Sequence, residues 1–383
     1  MVNLCDYRSV IPENDREQYL PGPDCRHPKS HDCHAPKNTL SVMLAIGPGV
    51  TLGDRYLLEA FLGRGATGEV WQARDTNRGQ VVALKLLLGQ DRRGVWREAT
   101  ALTSLESPHI LKVNNADMIL DVPYIDAALA RDSLDHLMTP IGLEPRRAID
   151  AMRRTLKGLQ LCHDRGLLHR DIKPANIFED FRGDIRLGDF GSAEFMDGSG
   201  SAGVAGDPRV RAPEMWAGGR SSVASDIYAS AVSLYALVSG EMPFQQLTMP
   251  DLERAITTGD FLPIRDRAPN VSRALAQVIQ QGLDVDPRNR FRSASEFDSR
   301  LGALPTRSRH FAPTPAHPGH VRCWTGTGTG SDIHVCLADT SGGRSMEVVV
   351  KHMPAERRIT RLCRPVTTAT ASAVLRRTFE QLA

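Results

Sequence analysis

From Tyr56 onward the apolar positions fall in short runs broken by turn-forming residues: YLLEAFLG from Tyr56, EVWQAR from Glu69 and QVVALKLLL from Gln80, the last two separated by Asn77 to Gly79. Period-two alternation between such breaks predicts a meander of antiparallel strands, because successive strand side chains face opposite sides. GVWREATALTSL, residues 94–105, instead brings Val95, Ala99, Leu102 and Leu105 to one face at helical spacing, so a helix is expected next. Beyond Leu134 the helical period dominates, most clearly over Pro145–Arg165 and Asp226–Ser239, with a short last helix near Ser295–Leu301. FEDFRGDIRL, from Phe178, reads as a hairpin. A small strand-rich body therefore precedes a larger helical one, an α+β arrangement.

The flanks have a different texture. Residues 1–50 are polar, rich in Pro and Asp and without sustained period, and are expected to be a disordered extension. After Leu304, APTPAHPGH reads as a linker. DIHVCLA and MEVVVKH then alternate and SAVLRRTFEQL has a helical pattern, enough for a hairpin and a helix of unassigned role. The expected organisation is an extension over 1–50, a main domain over 54–303 divided near residue 128 (about 54–128 and 129–303), and a linker with C-terminal extension over 304–383.

Length and composition narrow the function. With 383 residues the chain exceeds one ordinary core and suits two packed lobes plus extensions. Forty-seven basic against 45 acidic residues leave a net charge of +2, which gives no reason to expect a nucleic-acid or membrane-surface partner. The most apolar stretch, Val223–Gly240, is interrupted by Asp226 and several serines, so no membrane span is expected. The first residues lack a basic segment followed by an apolar one, so a cytoplasmic protein is expected. Seven scattered cysteines, an odd number, point to reduced thiols rather than a disulfide framework. Cys25, His27, His31, Cys33 and His34 are zinc ligands by type, but their spacing fits no standard finger and a loose tail is the stronger reading.

Several short motifs carry chemistry. GRGATGEV, residues 63–70, is a Gly-x-Gly-x-x-Gly between two strand-like runs; a dinucleotide-binding loop with that spacing should open a helix, which EVWQAR does not. Lys85 ends VALK in the next strand, and HRDIKPAN (169–176), GDFG (188–191) and APE (212–214) follow. Each alone is a turn or a cap. In this order, with compatible spacings and Glu98 on the intervening helix, the stretch from about Tyr56 to Leu301 resembles a eukaryotic-like (Hanks-type) serine/threonine protein kinase of the bacterial kind.

The resemblance implies a two-lobed kinase fold, with a small antiparallel β-rich N-lobe and a larger helical C-lobe. It implies ATP and Mg²⁺ (Mn²⁺ as a substitute) as cofactors, and proteins bearing Ser or Thr, including the chain itself, as substrates. ATP would lie against Leu62, Gly63, Arg64, Gly65, Ala66, Thr67, Gly68, Glu69 and Val70, with Val70, Ala83 and Phe178 sandwiching the adenine. Lys85 would hold the α- and β-phosphates and be fixed by Glu98, Asn176 and Asp189 would bind the metal, Asp171 would accept the substrate proton and Lys173 would neutralise charge at the γ-phosphate. Glu214 is expected to pair with Arg290, Asp226 to anchor the catalytic loop, and Arg170 to meet a phosphate on the activation segment.

Two positions depart from the family. Asp207 stands where the substrate loop usually carries threonine, and would either repel Asp171 or swing towards Arg209, Arg211 or Lys173. Asp126 occupies a place in VPYIDAALARDSL where a bulky apolar residue is expected, leaving the back of the pocket unassigned. The Gly-rich segment before Arg211 is expected to be mobile, and any phosphorylation there must use Ser192, Ser199 or Ser201. A pseudokinase serving as a nucleotide-binding scaffold is the alternative function.

Overall fold

The structure, a computed structural model, describes residues 46–65, 68–88, 105–119, 121–138, 140–244, 247–306, 308–340, 342 and 345–383. The alternating runs become β2 (Tyr56–Gly65), β3 (Gly68–Asp75) and β4 (Gln80–Leu86), which with β1 (Thr51–Leu52), β5 (Val113–Ile119) and β6 (Val122–Ala128) form one antiparallel sheet. Its order is β1-β2-β3-β4-β6-β5. Along β4, Val82, Leu84 and Leu86 are buried on one face, which leaves Ala83 and Lys85 on the other, towards a cleft. Most of the helix expected over 94–105, Glu98 included, lies outside the described residues.

The larger lobe is built on two long helices. Pro145–Asp164 starts on Glu144, whose carboxylate accepts from the Arg146 and Arg147 N–H groups, and a proline in the first turn costs no hydrogen bond there. Val223–Ser239 is buried on nearly every side, which explains why it is the most apolar stretch of the chain. Ile177–Glu179 and Ile185–Leu187 pair as the expected hairpin. A strand-rich lobe followed by a helical one is the α+β arrangement expected from the sequence.

The C-terminal extension folds as a further α+β unit. Strands Arg309–Thr314, His320–Gly328, Ile333–Asp339, Met346–His352 and Arg357–Arg358 succeed one another antiparallel, Arg364–Val366 pairs back on Met346–His352, and helix Thr368–Leu382 covers the sheet. Phe311, Trp324, Val335, Val348, Val350 and Phe379 belong to a core of its own. Within APTPAHPGH, read as a linker, Ala312, Pro313 and Thr314 end a strand and residues 315–319 form the irregular connection to the next. Strand Arg309–Thr314 is the sheet edge, where Pro313 interrupts no interior ladder.

This unit rests on the C-lobe through polar contacts. Glu380 accepts from Arg265 at 2.6 Å and Arg273 at 3.3 Å, Arg376 pairs with Asp266, and Arg322 donates to the Arg267 carbonyl at 2.6 Å. The Asn270 amide donates to the Phe311 carbonyl at 3.0 Å.

Candidate active site

Between the lobes lies a cleft of about 690 Å³, lined by Leu62, Gly63, Arg64 and Gly65 of β2, Val70 of β3, Ala83 and Lys85 of β4, and Lys173, Asn176, Phe178 and Asp189 from below. These are sequence-predicted positions. Gly68 and Glu69 are not among the lining residues: the Glu69 carboxylate accepts from the Trp71 indole at 3.1 Å and pairs with Arg64. Gly68 packs its backbone on β4, where at φ 147° a Cβ would stand 1.8 Å from the Leu86 carbonyl oxygen. Ala66, Thr67 and Glu98 lie outside the described residues.

Ile125, Ala127 and Ala128 also line the cleft, and sequence reasoning missed them. The signal was present in the alternation of PYIDAALA. Lys85 is opposite Ile125 and Ala83 opposite Ala127, so both β6 residues share the lysine's face while Asp126 takes the other. Asp126 is fully buried there; its carboxylate accepts from the Tyr56 hydroxyl at 3.1 Å and the Asn114 amide at 3.0 Å. Burial raises its pKa against those two hydrogen bonds. The acid is therefore part of a polar contact behind the sheet, and the back of the cleft is left to Ile125 and the small Ala127.

At the catalytic end, Lys85 Nζ and Asp189 Oδ1 meet at 2.5 Å. Enclosure works against the Asp189 charge, but the Lys85 ammonium outweighs it and holds the carboxyl below the usual range. Asp171 Oδ1 accepts the Asp207 backbone N–H at 2.8 Å, while its Oδ2 takes the Asn176 amide at 3.0 Å and lies 2.9 Å from Lys173 Nζ. The Asn176 amide nitrogen also donates to the Asp171 carbonyl at 2.8 Å. Both its protons being used on the loop, the amide oxygen is the group left to meet a cation, and with the Asp189 carboxylate it makes an all-oxygen donor pair of the kind Mg²⁺ prefers.

The loop carrying these groups is held from beneath. Asp226, fully buried, accepts the His169 N–H at 3.0 Å and the Arg170 N–H at 2.9 Å, with His163 Nε2 at 2.9 Å. Burial opposes its charge, yet the His163 contact and the loop N–H keep the carboxyl depressed. Arg290 grips Glu214 through two bonds of 2.9 and 2.8 Å, fixing the end of the substrate loop. Both pairings match the sequence expectation.

The substrate loop itself resolves the Asp207 question. Arg209 holds the Asp207 carboxylate with Nε at 3.0 Å and Nη2 at 2.6 Å, and Lys173 lies 3.5 Å away. Burial favours the neutral acid, but Arg209 and then Lys173 outweigh it and keep the pKa at about 2. The acid has swung towards its cations and meets Asp171 only through its backbone.

The activation segment makes several internal contacts. Glu194–Phe195 pairs with Leu167–Leu168, Ala202 bridges Ser221, and Asp197 gathers the Ser199 N–H and hydroxyl and the Arg220 guanidinium. Arg170 is already occupied: it donates to the Ser192 carbonyl, to the Glu194 carboxylate at 2.5 Å and to the Gly203 carbonyl at 2.7 Å. Asp197 closes the turn that contains Gly198 and Gly200, its side chain accepting the Ser199 N–H and its carbonyl the Gly200 N–H.

A glycine-lined cleft, a strand lysine against an aspartate, and a clamped aspartate on a loop anchored to a buried helix are the parts of a phosphotransferase site. The protein kinase domain model matches residues 56–299, and the chain belongs to the protein kinase family. It is similar to three bacterial proteins: serine/threonine-protein kinase pkn2 of Myxococcus xanthus (28% identity over 71% of the chain), serine/threonine-protein kinase PknD of Mycobacterium tuberculosis (33% over 68%) and PknB of the same organism (30% over 65%). The matches span 35%, 41% and 43% of those proteins' own lengths. No helix among the described residues is long and apolar enough to cross a membrane.

Proposed function

We propose that the chain is an ATP-dependent protein kinase that transfers the γ-phosphoryl group to Ser or Thr hydroxyls of proteins, its own included. The observation that carries this reading is the clamp on Asp171, whose two carboxylate oxygens are each directed by donors from Asp207, Asn176 and Lys173 beside the Lys85–Asp189 pair. Leu62, Val70, Ala83 and Phe178 offer the apolar surfaces for adenine, and the backbone of Gly63 and Gly65 can approach phosphates without a side chain between.

In this reading Lys85 holds the α- and β-phosphates. Asp171 orients the incoming hydroxyl and takes its proton as the oxygen–phosphorus bond forms and ADP departs. Lys173, 2.9 Å from Asp171, would neutralise the negative charge that accumulates on the transferring γ-phosphoryl group. Asp189 and Asn176 would hold Mg²⁺, which supplies charge neutralisation on the phosphates when bound. The pseudokinase alternative has no support in the site, because Lys85, Asp171, Asn176 and Asp189 are all present and converge.

Incubation with labelled ATP, Mg²⁺ and a generic basic protein tests the reading. Label should appear on serine or threonine with the native chain and fall by about 10³-fold or more in Asp171→Ala. Equal labelling in the two would refute it, and nucleotide binding without transfer in both would favour the scaffold.

A further inference from the structure

Outside the cleft between the lobes, the C-terminal unit gathers four nitrogen and sulfur ligands. His317, His320, Cys323 and Cys336 each offer one ligand atom, and the four atoms lie within 4.8 Å of one another. His317 Nδ1 is 3.4 Å from His320 Nδ1, 3.4 Å from Cys323 Sγ and 3.8 Å from Cys336 Sγ, and His320 Nδ1 is 3.4 Å from Cys323 Sγ. A tetrahedral Zn²⁺ with bonds of about 2.0–2.1 Å to nitrogen and 2.3 Å to sulfur has edges of roughly 3.3–3.8 Å between its ligand atoms. The four measured spans fall in that interval. Mutual hydrogen bonding does not account for them, because one imidazole nitrogen has a single in-plane proton or lone pair and cannot serve three neighbours at once.

The fold builds this cluster from separate pieces. Cys323 and Cys336 are directly opposite on adjacent antiparallel strands and both are buried. A register irregularity between His320 and Arg322 allows His320 and Cys323, an odd number of positions apart, to share a side. The tight turn HPGH, with Gly319 at φ 76° and the His320 N–H on the His317 carbonyl at 2.9 Å, returns His317 to the group. The Asp339 N–H on the Gly319 carbonyl at 2.9 Å pins that turn to the neighbouring strand.

We propose that His317, His320, Cys323 and Cys336 form a structural Zn²⁺ site that fastens the C-terminal unit. Four protein ligands close the coordination shell, which leaves no position for a reacting water, and two thiolates neutralise the ion. Thiolate with imidazole selects zinc over magnesium or calcium. The metal ties the HPGH turn to the strand that contributes Arg322 to the C-lobe contact and Trp324 to the unit's core. The motif H-x2-H-x2-C-x12-C is visible in the sequence, but only the cross-strand register brings its last cysteine to the others.

The test uses the full chain carrying Cys25→Ser and Cys33→Ser, which removes the other candidate zinc thiolates, purified under reducing conditions without chelator. Elemental analysis should find about one zinc per chain. Cys323→Ser and Cys336→Ser should each lower zinc retention at least tenfold, and Cys363→Ser, a cysteine of the same unit outside the cluster, should not. Should the serine variants fail to fold, Co²⁺ loaded into the parent chain decides: tetrahedral d–d absorption with thiolate charge transfer supports the site. Absence of stoichiometric metal after Zn²⁺ reconstitution, metal retained by both serine variants, or a Cys323–Cys336 disulfide in that reduced preparation overturns it.

Discussion

The backbone N–H of Asp207 donates to Oδ1 of Asp171 at 2.8 Å, so the substrate loop reaches the proposed base through its main chain. The side chain at 207 faces Arg209 and Lys173 instead. Asp207→Thr should therefore keep transfer to Ser/Thr substrates within about threefold of native kcat, since the hydrogen bond to Asp171 survives. Gly206 sets how closely the loop approaches: at φ 82° a Cβ would come 2.1 Å from the Arg170 carbonyl oxygen. Gly206→Val should cost at least about 10²-fold in kcat, as expected when a reacting group is displaced by an ångström. Steady-state assays of the two variants check both, and a collapse in Asp207→Thr alone would show that the carboxylate has a role of its own.

The same acid has a pH signature. Its folded-state pKa of about 2 lies below the unfolded carboxyl's usual value near 3.9, so it stabilises the fold above about pH 4 and that stabilisation is lost as pH falls through 2. Native protein should be more stable than Asp207→Asn at neutral pH, and the two should converge below about pH 2. Chemical denaturation at a series of pH values measures this, and a gap that persists at the lowest pH contradicts the assignment. No inflection from Asp207 is expected in activity between pH 5 and 9.

Arg170 is engaged by Glu194 and by two carbonyls, the place a loop phosphate is expected to take in such a site. An internal carboxylate, Glu194, thus takes that place. Replacing Ser192, Ser199 and Ser201 together with alanine should leave the initial rate within about threefold, whereas Glu194→Ala should lower it about tenfold or more by freeing the Arg170 side chain. Comparing initial rates of the two variants, with phosphosites mapped on the native chain, decides which group orders the loop.

Much of the candidate site was legible because its proposed chemistry is specific to residue type: the residues of HRDIKPAN and DFG proposed to clamp a proton acceptor and bind a hard cation are close in sequence. What required the structure depends on distant partners. Asp126 finds Tyr56 seventy positions away, Asp207 had three cations in reach and took two of them, and Arg170 met Glu194 rather than awaiting a phosphate. Likewise, edge placement made Pro313 compatible with a strand, something local composition argued against.

The Glu214–Arg290 pair separates stability from chemistry. Arg290 is buried, lies over the Tyr228 ring at 5.0 Å, and its bonds to Glu214 are supplemented by the Asp284 and Ala224 carbonyls. Arg290→Ala should destabilise the lobe by about 3–5 kcal/mol, because it strips a partly buried carboxylate of its partner. Adding Glu214→Gln should recover part of that loss by removing the stranded charge. Denaturant titrations of the two variants give the comparison, and additive losses would mean that the two side chains are not coupled.

Phe379 tests whether the C-terminal unit stands on its own core. Its ring meets Phe311 at 4.9 Å and Trp324 at 5.3 Å, and these residues belong to a hydrophobic cluster distinct from the one around Val223–Ser239. Phe379→Ala should cost about 3–5 kcal/mol through lost burial and the cavity left behind. Because the unit meets the C-lobe largely through Glu380, Arg376, Arg322 and Asn270, the loss should fall on residues 309–382. Hydrogen exchange should accelerate at least tenfold in strand Ile333–Asp339 while helix Pro145–Asp164 stays protected and ATP still binds. Equal acceleration in both elements would show instead that the two cores unfold as one.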